Sequence, residues 1–139
     1  GMLQSERLLL SWIASSSSIF NQLKEYLSPD DFCEGIHKEV AQYIFSEMEA
    51  GKQPDPAALV DKYSDPEDQK DIARIFHTEE ALKADADKSK AISETLIKIK
   101  KATIERENEA MDPGDPNLFK KKIEDRRFID QIEKLRINV

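Results

Sequence analysis

A single cysteine, Cys33, excludes an internal disulfide and a zinc cage built from cysteines, and it suits a reduced, cytoplasmic compartment. Glycine is scarce at 4 residues and proline at 6, too few to turn the many short strands of an all-β domain. No glycine-rich loop offers backbone amides to a phosphate. No apolar run reaches the length of a membrane span: the longest near the start, Leu8–Leu10, ends at Ser11, and no signal-peptide pattern opens the chain. Positive charge is short as well. A net charge of -7 argues against a nucleic-acid surface over the whole molecule. Gly1 ahead of Met2 reads as a residue left by tag removal, so the segment is expected to come from a longer protein.

What remains is a helix-forming composition. Of 139 residues, 39% are hydrophobic and 35% charged, which fills one modest core and leaves wide solvated faces. The charge is uneven. Residues 1–87 carry 8 Lys and Arg against 18 Asp and Glu, a balance of -10, whereas residues 88–139 carry 13 against 10, a balance of +3. An acidic body joined to a mildly basic tail predicts two structural parts.

Hydrophobic spacing supplies the elements. Leu8, Leu9, Trp12 and Ile13 mark a first helix over 4–14, and the run Ser15–Ser18 is short enough to be a connection that caps the second helix of Ile19, Phe20, Leu23 and Leu27. Ser28-Pro29-Asp30-Asp31-Phe32 predicts a capped turn anchored by Phe32. Ile36, Val40, Tyr43, Ile44 and Met48 mark a helix over 36–50, with Gly51 as its left-handed stop. Asp55-Pro56 and Asp65-Pro66 each place a capping Asp before a Pro that can only begin a helix. From 79 to 110 neither Gly nor Pro occurs, so one long helix is predicted, with stripes of Ile92, Leu96, Ile99 and Thr103 and of Ile97, Ile104 and Met111. The break Met111–Asn117 and a last helix from about Leu118 to Arg136 complete a helical hairpin. The expected fold is all-α: a compact bundle over 1–90, then a long helix and C-terminal hairpin over 91–139. No internal repeat is found.

Chemistry is hard to place on this frame. Catalysis by a nucleophile needs a base and a group that orients the base. The histidines are His37 and His77, neither in a motif, and both read as structural. Cys33 has no basic cluster beside it to stabilise a thiolate. Asp30-Asp31 reads as a pair of turn caps, and Asp85 and Asp87 point to different sides of a helix, so no metal and no cofactor are predicted. Lys98–Lys101 and Lys120–Lys122 read as solvated faces diluted by Glu105 and Glu124. Periodicity alone leaves two options for the hairpin: it stands away with an exposed stripe that meets a partner, or it folds back and the stripe is core.

The residues Glu6–Leu10, then Leu27–Phe32, then His37-Lys38, followed by Gly51 and Pro54–Leu59, resemble the start of the C-terminal helicase-interaction domain of bacterial DNA primase. The Lys-rich stretch Ile92–Lys101 and the closing Ile132–Arg136 are similar to that domain's end, so the resemblance spans most of the chain in order; Ser15–Ser18 and Lys83–Lys90 depart from it. The resemblance implies a six-helix bundle followed by a hairpin, packed as in the N-terminal domain of the replicative helicase. It implies docking on that helicase domain, which brings primase to the replication fork and modulates the helicase. The hairpin would supply much of the tethering and the bundle most of the stimulation. The family's polymerase centre and zinc-binding domain lie upstream and are absent from this segment.

The partner contacts expected are Phe128, Ile129, Ile132 and Leu135, facing outward from the last helix, with Arg127 and Arg136 at the rim. The partner is the replicative DNA helicase, with no small-molecule substrate, no membrane and no nucleic acid contacted directly. The alternatives are the N-terminal domain of a replicative helicase, and an unrelated helical homodimerisation or regulatory module.

Overall fold

A computed structural model describes residues 1–78 and 85–139, with side chains from residue 88 onward in the second segment. The described residues form seven α-helices and one short 3₁₀ turn, with no strand among them. The helices are α1 (Met2–Ser15), α2 (Ser17–Leu23), α3 (Ile36–Glu49), α4 (Pro56–Val60), α5 (Pro66–His77), α6 (Asp85–Glu109) and α7 (Pro116–Glu133), with the 3₁₀ turn at Pro29–Asp31. The expected start of the long helix at 79–84 lies outside the described residues.

α1 is the central element, packed against α2, α3, α5 and α6. Its residues Leu9, Leu10, Trp12 and Ile13 are wholly withdrawn from solvent, which is why so short an apolar run organises the bundle. Ser16 ends α1 in extended conformation and its hydroxyl accepts the Ile19 amide at 3.2 Å, so the serine run is a cap between two helices. At the 3₁₀ turn, Asp31 Oδ2 accepts the Ser28 amide at 2.9 Å, while the Ser28 hydroxyl accepts the Asp30 amide at 3.3 Å. Gly51 closes α3 at φ +72°, where a side chain would be strained.

Three helices begin at the same pair of residues. Asp55, Asp65 and Asp115 each accept the amide two positions on, at 3.1, 2.9 and 2.8 Å, ahead of a Pro at the first helical position. Periodicity predicted α7 from about Leu118, but Asp115-Pro116 begins it two residues earlier. α7 also ends at Glu133, short of the predicted Arg136, and the chain continues without helix to Val139. α2 likewise stops at Leu23, four residues before the predicted Leu27.

A polar knot sits inside this apolar frame. Glu6, 1% exposed, accepts the Cys33 amide at 3.0 Å and the Cys33 thiol at 2.9 Å, and lies 2.9 Å from His37 Nδ1. One carboxylate thus joins α1, the loop before α3, and α3 itself, and satisfies groups whose burial alone would be costly. His37 is a structural residue here, while His77 is exposed on the last turn of α5. The core is a single cluster that also takes in Ile92, Leu96 and Ile99 of α6, Ile132 of α7 and Ile137 of the C-terminal tail.

Candidate interaction surface

α6 and α7 form the predicted hairpin, and two sets of contacts decide how it meets the bundle. The first is a junction around Lys100. Its ammonium lies 2.9 Å from Asp31 Oδ1 and 5.2 Å from the centre of the Phe128 ring, which in turn packs 6.2 Å from Tyr26. The Lys100 side chain is only 16% exposed and that of Asp31 4%, so the pair is largely desolvated. Lys100 therefore departs from the solvated face expected of Lys98–Lys101: it ties the 3₁₀ turn, α6 and α7 to one another. The second set is the tail. Ile137 is buried, the Ser89 hydroxyl donates to the Ile137 carbonyl at 2.6 Å, and the Gln22 side-chain amide pairs with both backbone groups of Asn138 at 2.9 Å. This strap closes the end of α7 across the start of α6 and onto α2.

The far end of the hairpin is held internally. Lys121 Nζ reaches Asp125 at 2.7 Å, Asn108 at 2.9 Å and Glu107 at 3.3 Å, bridging the two helices. Burial works against the charge on Lys121, but the two carboxylates outweigh it and hold the ammonium above its ordinary range. With these contacts Leu118, Lys121, Asp125, Phe128 and Ile132, at steps of three and four, form the withdrawn side of α7, and Leu135 follows just past its end.

The placement of the expected contact residues follows from that phase. Ile132 is fully buried in the bundle core, not outward-facing, because the hairpin folds back at its base. Phe128 and Leu135 are half-buried against the same core. Ile129 is half-buried and lines an open groove of about 530 Å³ with Ile104, between rims that include Lys101, Lys122, Arg126 and Asp130. Arg127 and Arg136 are exposed. The exposed apolar groups of α7 lie elsewhere: Phe119 at 74% and Ile123 at 42%, both near the hairpin tip. Their four-residue spacing was the signal available in the sequence, since it sets them on a different side from Phe128 and Ile132.

The Cys33 thiol is pushed up to about 11, chiefly by its hydrogen bond to Glu6 and then by burial, so it is a poor nucleophile. No cluster of three or more metal-ligating side chains occurs among the described residues. No helix among them is long and apolar enough to cross a membrane.

Residues 2–101 match the protein family described as the DnaB-like helicase N terminal domain. No curated protein and no solved structure matches the chain.

Proposed function

The chain belongs to the DnaB-like helicase N-terminal domain family, and from that premise we propose that it is the helicase-binding domain of a bacterial DNA primase. Membership makes it a helicase-related interaction domain. The finer assignment draws on the ordered resemblance of Glu6–Leu10, Leu27–Phe32 and Ile132–Arg136 to the primase domain. The observation that carries it is the hairpin: α6 leaves the bundle core beyond Ile99, and α7 returns to it at Ile132 after presenting Phe119 and Ile123 to solvent.

In this reading residues 1–90 act as the bundle and 91–139 as the long helix and hairpin. The hairpin docks on the N-terminal domains of the replicative helicase, recruiting primase to the fork, and the bundle modulates helicase activity. Arg127 and Arg136 steer the encounter, while Phe128, Ile129 and Ile132 set the shape of the docking helix and Leu135 supports it from just past its end. The family match equally supports a second reading, in which the chain is the N-terminal domain of a replicative helicase and associates with its own copies.

Calorimetry of the whole chain against the N-terminal region of the same organism's replicative helicase tests the assignment, with light scattering on the chain alone beside it. A monomer that binds supports the primase reading. A stable self-assembly that ignores the helicase fragment sinks it in favour of the second. Deleting α7 is not a clean test, because Ile132 and Ile137 belong to the core.

A further inference from the structure

We propose that the hairpin tip is the docking surface, with Phe119 and Ile123 as apolar anchors, and that it fits a protein surface whose apolar groove is rimmed by carboxylates. This rests on the helicase-binding reading and adds the chemistry of the partner's surface.

Among the described residues only four large apolar side chains are exposed: Leu3, Phe119, Ile123 and Val139. Leu3 and Val139 lie at the two ends of the chain. Phe119 and Ile123 lie one turn apart on one side of α7, so they present a single patch. An aromatic at the fourth helical position commonly packs on the residue preceding the N-cap. Here the N-cap is Asp115 and the residue before it is Gly114, which has no side chain to meet, so Phe119 has no such local role. The side of α7 that carries Phe119 and Ile123 does not turn toward the bundle, because the opposite side is held to α6 through Lys121 and Asp125 and to the core through Ile132.

Charge identifies the partner. Residues 119–127 carry five Lys and Arg against two Asp and Glu, a balance of +3 on a chain of -7. Lys121 and Asp125 pair with each other. Lys120, Lys122, Arg126 and Arg127 make no ion pair among the described residues, and all four are exposed. A patch of free cations around two apolar anchors complements carboxylates around an apolar groove. A nucleic-acid backbone fits less well: Ile123 offers it nothing, and Glu124 and the exposed Asp130 repel it.

The test is calorimetry and stopped-flow association between the whole chain and the N-terminal region of the same organism's replicative helicase, across a salt series. Phe119→Ala weakens binding about 30-fold or more, as loss of a central aromatic anchor does. Its Tm stays within about 2 °C of the parent, as for a surface change. Lys122→Glu with Arg126→Glu slows association about tenfold at low salt, with little change in dissociation rate. Binding that survives Phe119→Ala overturns the assigned surface but leaves the helicase reading standing. Affinity indifferent to salt and to charge reversal overturns the carboxylate rim. Absence of binding by the unaltered chain removes both readings. A labelled single-stranded oligonucleotide whose binding is lost in the charge-reversed variant replaces the protein partner with nucleic acid. A dimer lost in Phe119→Ala replaces it with a second copy of this chain.

Discussion

Replacing Ile132 by Ala asks whether the base of the hairpin belongs to the folded body of the protein. Ile132 has no solvent exposure and sits in the last turn of α7. The substitution removes three buried carbons, at about 0.8 kcal/mol each, and leaves a cavity whose cost adds to the transfer loss. A loss of about 3 kcal/mol follows. The entropy of unfolding is about 2.1 cal/mol/K per residue, or about 0.3 kcal/mol/K for 139 residues. The melting midpoint should therefore fall by about 10 °C, as read by circular dichroism or calorimetry. The transition should stay single, because Ile132 and Ile137 share one core cluster with Leu9, Trp12 and Ile13. A fall of less than about 3 °C, or a separate early transition for the hairpin, refutes the packing described here.

Three further outcomes follow from the polar contacts. Lys100→Met leaves Asp31 buried without its cation and should cost about 2 kcal/mol, below the range for fully buried pairs because Lys100 is partly solvated. Adding Asp31→Asn should recover part of that loss, and a double-mutant cycle in urea showing no coupling would contradict the junction. Burial works to raise the Glu6 pKa, but the hydrogen bonds from His37 and from the Cys33 thiol and amide outweigh it and hold the carboxyl below its ordinary 4.5. A depressed folded-state value contributes stability above the unfolded value, and that contribution is lost as pH falls through the folded one. Stability should thus decline on acidification below about pH 5, and Glu6→Gln should flatten that part of the curve; an unchanged slope would speak against it. Finally, a thiol pushed from 9.0 to about 11 holds few thiolates at pH 8. Cys33 should therefore be alkylated by iodoacetamide roughly a hundredfold more slowly than an ordinary thiol, and Glu6→Gln should speed it; mass spectrometry of the native protein reading an ordinary rate would contradict this.

The elements were legible where a side chain acts on its own neighbours. Ser16 caps α2 by accepting the amide three residues on, Asp55 and Asp65 cap helices that Pro56 and Pro66 can only begin, and Gly51 adopts the positive φ that ends α3. The same logic held at Asp115-Pro116, where apolar spacing pointed two residues too late. The tail was not legible: Ile137 is buried because Gln22, Ser89 and the core meet there, and these are brought together only by the fold. Lys100 was hidden for the same reason, since its partner Asp31 lies 69 positions away.

By itself the sequence determined a helical fold, the starts of α2, α3, α4 and α5 and the hairpin between α6 and α7, because caps, breakers and the helical period act within a few residues. It also set Phe119 and Ile123 on one side of α7 and Phe128 and Ile132 on another. Only the tertiary structure decided which of those sides faces the bundle. Periodicity gives the angles between side chains on a helix but not the direction in which the helix is turned, and that direction was settled by Tyr26, Lys100 and the core around Ile132.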